Sequence, residues 1–131
     1  MENQLILVDT SILIEYYRKK NKSKTVLIQL LNKGYKFAIS VVSKYEIYSG
    51  ATENQISFWN SIFEMIAIYS LDEKAIDYAV ATNTLLKKSR NQIEIADLFI
   101  AATALSYKIP LATLNRKHFD RVESLKLVQI Q

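Results

Sequence analysis

The chain has 131 residues, half of them hydrophobic, with a net charge of +4, a single histidine and no cysteine. The lack of cysteine excludes disulfides, thiolate zinc sites and cysteine nucleophiles, the single histidine excludes a multi-histidine metal centre, and the length predicts one domain over residues 1–131. No apolar run approaches the roughly 20 residues of a membrane span, and the opening MENQ lacks a signal peptide's basic region, so we expect a cytoplasmic protein.

The first predicted strand, Leu5–Val8, ends directly at a carboxylate. Its four consecutive apolar residues are typical of a strand buried on both faces, as in a parallel sheet flanked by helices. Asp9 follows at the carboxyl edge of that sheet, where open α/β folds build their sites. Asp9 or Thr10 also suits the simpler role of capping the helix predicted over residues 11–19. This stretch alone leaves both roles open.

A basic segment follows that first helix. Residues 18–24 carry five positive charges in seven positions, a pattern that usually marks a solvated loop but also suits contact with phosphates. The net charge and a pI near 9.2 fit a polyanionic partner without proving one. A second helix is predicted over residues 25–32, and Gly34 is placed to end it in a left-handed conformation.

The second predicted strand covers residues 37–42 and is followed by an S-x-x-E motif formed by Ser43 and Glu46. This motif matches a capping box, in which the two side chains close the start of a helix. Glu46 therefore has a structural role available, besides a role as an acid beyond a strand end. The elements predicted next are helices up to residue 52, over 54–64 and over 72–88, with a third strand over 65–69.

The segment IEIADLFIAATALSY, residues 93–107, is the second unusual stretch. It predicts a helix with an almost entirely small or apolar face, and such a face lets a helix approach a sheet closely. Asp97, in the first turn, would then lie near the sheet edge; the alternative is that it only supplies a favourable charge at the helix N-terminus. The elements predicted after it are a strand over 110–113, a helical turn over 115–119 and a final strand over 125–130.

Strands alternate with helices along the whole chain. That order favours the α/β class, as a three-layer α/β/α sandwich with a central, mostly parallel sheet and right-handed crossovers. In such a sheet Asp9 and Glu46 would lie at the carboxyl edge, with Asp97 near them. Three gathered carboxylates repel one another unless a cation lies between them, and Mg²⁺ or Mn²⁺ would keep positions open for a substrate phosphate. The pattern indicates metal-assisted phosphodiester hydrolysis.

Four segments of the chain resemble the PIN-domain family, and most closely its VapC toxins of type II toxin–antitoxin systems. The segments are LILVDTSILIEYYR, ISVVSKYEIYSG, IEIADLFIAATAL and IPLATLNRKHFDRV, which cover nearly the whole chain in the family's order. The resemblance implies an endoribonuclease in which Asp9, Glu46 and Asp97 bind Mg²⁺ or Mn²⁺. It also implies an RNA substrate such as tRNA or rRNA, a homodimer, and an antitoxin that occludes the cleft.

The fourth acidic position of the family is where this chain departs from the pattern. Relatives commonly place an aspartate two residues after the fourth strand or just before the following phenylalanine, and this chain has Asn115 and His118 there. Asn115 remains a candidate catalytic residue because its amide oxygen can still approach a hard cation. Asp120 and Glu94 are reserve candidates. The departure bears on a second metal ion more than on the first.

The lone histidine and a group of cations complete the candidates. His118 is a candidate proton shuttle, because histidine is the side chain suited to proton transfer near neutral pH. A lone histidine beside an aromatic is more often a half-buried packing residue, and we expect that role. Arg116, Lys117 and Arg121 are expected near the cleft mouth, either binding RNA phosphates or as solvated surface. The hydroxyls expected to bind a carboxylate or a metal-bound water are those of Thr10, Ser11 and Thr113.

Other functions share these residues. A PIN-type RNA-processing nuclease without an antitoxin and a catalytically inactive PIN binding module both fit the same segments. A phosphoacceptor signalling domain would need an acid pair beside the first strand, where Asp9 stands alone. A haloacid-dehalogenase-like phosphatase would need a second aspartate at position 11, which is Ser11. The RNA target, its cleavage site and the identity of the antitoxin do not follow from the sequence.

Overall fold

Four parallel strands form the centre of the molecule in the computed structural model, which describes residues 4–130. The strands are β1 Leu5–Val8, β2 Lys36–Ser40, β3 Ala67–Tyr69 and β4 Leu111–Ala112. They lie in the order β3-β2-β1-β4, and every neighbouring pair is parallel. Because β1 occupies an inner position, its carboxyl end and that of β2 meet at the same edge of the sheet, as predicted.

Helices connect the strands and cover both faces of the sheet. They are α1 Thr10–Arg18, α2 Val26–Asn32, α3 Val41–Gly50, α4 Glu53–Met65, α5 Glu73–Lys88, α6 Ile95–Tyr107 and α7 Arg116–Phe119. Gly34, with a φ of 95°, follows α2 in the conformation predicted for it. Between residues 4 and 130, none of the helices combines the length and the apolar character needed to cross a membrane.

The uninterrupted apolar run of β1 is explained by two cores, one on each face of the sheet. Ile6 and Val8 pack into a core shared with α1, α2, α3 and α4. Leu7, between them, packs into the opposite core with α5, α6 and α7. Each of the three side chains is fully buried, a burial worth about 1.5–3 kcal/mol for each. The predicted three-layer α/β/α sandwich is therefore confirmed.

The second strand is shorter than predicted, and its helix starts earlier. Residues 37–42 were expected to be extended, but β2 ends at Ser40, whose hydroxyl caps α3 by accepting from the Val42 N–H. Val41 and Val42 are β-branched and so resemble strand residues, yet they form the first turn of α3. The predicted capping box is consequently wrong, since Ser43 lies inside the helix and is buried there.

The final segment, predicted as a strand over residues 125–130, forms a single bridge to the sheet. Leu127 pairs with Leu111, and the Val128 N–H donates to the Leu111 carbonyl. Between residues 122 and 130 the buried side chains are Val122, Leu125 and Val128, spaced by three residues, whereas a strand with one face on the core buries alternate residues. The segment therefore packs against the core as irregular chain.

Lys108 ends α6 in the left-handed conformation, with φ 57° and ψ 43°. This conformation costs a lysine about 1–2 kcal/mol of folding free energy, whereas glycine adopts it without that cost. We expect Lys108→Gly to raise the free energy of unfolding by up to about 1 kcal/mol, part of the gain being offset by the freer unfolded chain. Chemical denaturation measures this, with Lys108→Ala as the control that removes the lysine and keeps the cost. A Lys108→Gly protein less stable than the alanine variant would contradict the assignment.

Candidate active site

One cleft at the carboxyl edge of the sheet is lined by every residue that was predicted from the sequence to be catalytic. Its volume is about 510 Å³, and α1, α3, α6 and the loop after β4 form its walls. Asp9, Glu46, Asp97 and Asn115 all line it. Asp9 directly follows β1, Glu46 lies in the second turn of α3, and Asp97 lies in the first turn of α6. The topology therefore joins acids that are far apart in sequence.

Asp9 is held by a network that ties the start of α1 to the end of β4. Its Oδ1 accepts from the Ser11 hydroxyl at 2.5 Å and from the N–H groups of Ser11 and Ile12, so it also caps α1. Its Oδ2 accepts from the Thr113 hydroxyl at 2.5 Å. The Ser11 hydroxyl in turn accepts from the Leu114 N–H at 3.0 Å. The capping role considered for Asp9 is thus confirmed, and its carboxylate also lies at the cleft.

Burial makes the charge on Asp9 costly. The residue is only 3% exposed, and burial raises the pKa of its carboxyl above the ordinary value of 3.8. The hydrogen bonds from Ser11, Thr113 and Ile12 act in the opposite direction, and the negative charge of Asp97 adds to the rise. A cation in the cleft would offset both the burial and the repulsion.

Glu46 is oriented toward the cleft by α1. The Thr10 hydroxyl donates to Glu46 Oε1 at 2.6 Å and lies 3.1 Å from the buried Ser43 hydroxyl. Because α3 begins at Val41, Glu46 is too far along the helix to close its start, so the capping role considered for it is excluded. Its carboxylate belongs to the cleft, where Thr10 orients it.

Asp97 is brought to the sheet edge by the small-residue face of α6. Ala101, Thr103 and Ala104 are fully buried against the sheet, and the Thr103 hydroxyl lies 3.2 Å from that of Ser40 at the end of β2. The expected close approach of this helix is therefore confirmed. Asp97 remains partly exposed at the cleft.

His118 does not have the half-buried packing role expected for it. Its side chain is 56% exposed, and its Nδ1 lies 3.1 Å from Asp97 Oδ2. It approaches Asp97 from a separate small depression, which Glu94 and Arg121 also line. The imidazole is therefore placed to orient the Asp97 carboxylate. Sequence neighbours did not reveal this role, because the contact joins two helices, α6 and α7.

The reserve acids lie outside the cleft, and Asn115 lies within it. Asn115 precedes α7, lines the cleft, and donates its N–H to the Thr113 hydroxyl at 2.9 Å. Asp120 ends α7 and is exposed, and Glu94 precedes α6 and lines the depression beside His118. Among the polar residues around the fourth acidic position, Asn115 is thus the one that reaches the cleft.

The cations at the cleft are not those predicted. Arg116 and Arg121 donate to the backbone carbonyls of Val128 and Gln92, and neither they nor Lys117 are among the residues that line the cleft.

The cleft cations are instead Arg18 and Lys19 at the end of α1. They are the first two residues of the basic segment 18–24, for which contact with phosphates was one of the two roles considered. Lys19 pairs with Glu15 at 3.0 Å, while Arg18 makes no ion pair with any residue from 4 to 130. A helical stripe of Ser11, Glu15 and Arg18 along α1 was the signal that could have revealed this wall.

The oxygen donors of the cleft fit a hard cation, although they do not form a complete coordination shell by themselves. Within residues 4–130, no three acidic or histidine side chains are close enough together to form a ready metal site. Mg²⁺ commonly uses one or two carboxylates, several waters and a substrate phosphate, and the cleft offers carboxylate, hydroxyl and amide oxygens. The costly burial of Asp9 is the feature of this structure that a cation would relieve.

Thr113 provides a direct test of the Asp9 network. Thr113 is 1% exposed, and its hydroxyl donates to Asp9 and accepts from the Asn115 N–H. Thr113→Val keeps the shape and leaves a buried carboxylate oxygen unpaired, so we expect the free energy of unfolding to fall by about 1–3 kcal/mol. Denaturation in EDTA measures the loss, and Thr113→Ser, which keeps the hydroxyl, should restore most of it. Equal stability of the valine variant and the wild type would exclude the network.

The chain is similar to known proteins in both sequence and fold. The PIN domain family matches residues 6–125 of the chain. Ribonuclease VapC1 of Methanocaldococcus jannaschii is 36% identical, over 96% of this chain and 87% of its own length. Ribonuclease VapC of Rickettsia bellii is 31% identical, over 95% of this chain and 96% of its own length. A crystal structure of VapBC2 from Rickettsia felis bound to a promoter DNA fragment superposes with a TM-score of 0.84 and 25% identity, covering 95% of this chain and 98% of that one.

Proposed function

The chain belongs to the PIN-domain family, and from this premise we propose that it is a Mg²⁺- or Mn²⁺-dependent endoribonuclease that acts as the toxin of a toxin–antitoxin pair. The observation that carries the proposal is the meeting of Asp9, Glu46 and Asp97 in one cleft at the carboxyl edge of the sheet. Both relatives described above are named ribonucleases, which supports RNA hydrolysis as the reaction class.

Asp9, Glu46 and Asp97 would hold the cation, with Asn115 contributing an uncharged oxygen. When bound, a divalent ion supplies charge stabilisation at the phosphoryl group and lowers the pKa of water. The chain's own residues prepare the site: Ser11 and Thr113 fix Asp9, Thr10 fixes Glu46, and His118 orients Asp97. Arg18, at the mouth of the cleft without an ion pair to residues 4–130, donates to a backbone phosphate of the RNA.

The partners follow from the same proposal. RNA such as tRNA or rRNA is the substrate in the cytoplasm, and the chain acts as a single domain in a homodimer whose cleft an antitoxin covers. The solved relative, a VapBC complex, supports the antitoxin. A small reading frame for a DNA-binding protein next to the gene, and relief of growth arrest when both are expressed, are the expected results. Growth arrest that the neighbour does not relieve would favour an RNA-processing nuclease without an antitoxin.

Cleavage of RNA by the purified protein tests the enzymatic part. Total RNA and tRNA are incubated with Mg²⁺ or Mn²⁺, with EDTA, and with the Asp9→Asn variant. We expect discrete fragments that need the cation and are absent with the variant. Fragments that persist with Asp9→Asn would come from a contaminating nuclease. No cleavage, together with no Mn²⁺ binding by calorimetry, would instead favour the inactive PIN binding module.

A further inference from the structure

A second cavity adjoins the cleft on its α1 and α3 side. It has a volume of about 250 Å³ and shares Ile14, Arg18 and Glu46 with the cleft. Its remaining walls come from the end of α1, the end of α3 and the face of α4 that packs on them. Since Glu46 belongs to both spaces, anything bound in the cavity lies next to the carboxylates of the cleft.

The walls of this cavity are aromatic and aliphatic. Trp59 and Tyr17 line it, with their ring centroids 5.6 Å apart, and Ile47 supplies an aliphatic surface. Trp59 is 2% exposed and packed among other aromatic rings, so it forms a rigid wall. The planar groups that remain accessible at the cavity are the partly exposed Tyr17 ring and the exposed Arg18 guanidinium. Proteins that read single-stranded RNA stack unpaired bases on aromatic side chains and arginine planes of this kind.

The polar groups at the cavity include the Glu46 carboxylate, which accepts, and two side chains that can donate, Gln55 and Arg18. The Gln55 oxygen is committed to the Thr52 N–H at 3.0 Å, which leaves its amide nitrogen to donate. The Arg18 guanidinium has donors only and stands between cleft and cavity. Gly50 lines the cavity without a side chain, and a Cβ built there meets no atom within 4 Å. The cavity is therefore open and suited to a base edge that carries acceptors.

We propose that this cavity is a nucleobase subsite, which receives the unpaired base next to the phosphate held in the cleft. The inference rests on the proposed ribonuclease function and deepens it, because it identifies what selects the cleavage position. Its volume suits one base better than a whole nucleotide, since drug-sized ligands occupy about 300–1,000 Å³. The sugar and phosphate would remain in the cleft beside Arg18 and Glu46.

Trp59 is the only tryptophan of the chain, so its fluorescence reports directly on the cavity. The four 5′-mononucleotides are titrated in Mg²⁺, with ribose 5-phosphate as the ligand that lacks a base. We expect saturable quenching by the mononucleotides, strongest for a base rich in acceptors, and none by ribose 5-phosphate. Gly50→Leu, which adds a bulky side chain at the wall of the cavity, should weaken the quenching and lower kcat/KM for RNA by about tenfold or more. Ser49→Leu, at an exposed neighbour outside both cavities, should change neither.

Several outcomes would overturn the subsite. They are equal quenching by ribose 5-phosphate, no saturable quenching by any mononucleotide, or unchanged mononucleotide binding in Gly50→Leu. If no mononucleotide gave saturable quenching, the cavity would instead be a binding site for a protein segment. The proposed function is judged separately by RNA cleavage. A wild type that cleaves RNA without quenching loses the subsite alone, whereas one that quenches without cleaving keeps the base-binding cavity and loses the nuclease.

Discussion

Asp9→Asn should lower RNA cleavage by about 1,000-fold or more, because a held cation contributes several kcal/mol of transition-state stabilisation. Calorimetry should show Mn²⁺ binding in the wild type and none in the variant. The fold should persist, since asparagine caps helices as well as aspartate does and the substitution removes a buried charge. Asp77→Asn, at an exposed acid of α5, is the matched control and should bind and cleave normally.

The same variant has a signature in the pH dependence of stability. The pKa of Asp9 is raised in the folded protein, so the folded state holds this proton more tightly than the unfolded state does. Its contribution to stability is fully present below the unfolded pKa and is lost as pH rises through the folded one. In EDTA, wild type and Asp9→Asn should therefore differ least at acid pH, and the variant should gain relative stability as pH rises. A gain in the opposite direction would contradict the cost assigned to this charge.

Asp97→Asn and Glu46→Gln should each lower cleavage by about 100-fold or more, because each removes a charged oxygen that the cation would use. Both side chains are partly exposed, so the melting temperature in EDTA should change little. Higher Mn²⁺ concentrations should recover part of the activity, which an effect on folding would not allow.

The reserve acids serve as matched controls for this pair. Glu94→Gln and Asp120→Asn lie outside the cleft and should cleave at the wild-type rate. If Glu94→Gln lost as much activity as Asp97→Asn, the cation would lie in the depression beside His118.

The meeting of the candidate residues in one cleft was predictable because it depends on strand order and strand ends. Leu5–Val8 is apolar at every position because alternate side chains of β1 pack into the two cores on opposite faces of the sheet. Asp9 follows it directly, and α6 combines Asp97 with a small-residue face that lets it approach the sheet. These features are local in sequence, so their pattern is visible before the fold is known.

The errors lie where tertiary contacts override local pattern. Val41 and Val42 suggested a longer strand and a later cap, but pairing with β3 ends at Ser40, opposite Tyr69. His118 and Arg116 were assigned from their neighbours in sequence, whereas their partners, Asp97 and the Val128 carbonyl, come from other elements. The base-sized cavity likewise depends on how α1, α3 and α4 pack, which no single motif specifies.

Anomalous scattering from crystals grown with Mn²⁺ tests the central claim most directly. We expect one strong peak in the cleft, within bonding distance of carboxylate oxygens of Asp9 and of at least one of Glu46 and Asp97. The peak should disappear in crystals of Asp9→Asn. A peak elsewhere, or full occupancy in the variant, would mean that the cation does not depend on this carboxylate, and the proposed site would have to be abandoned.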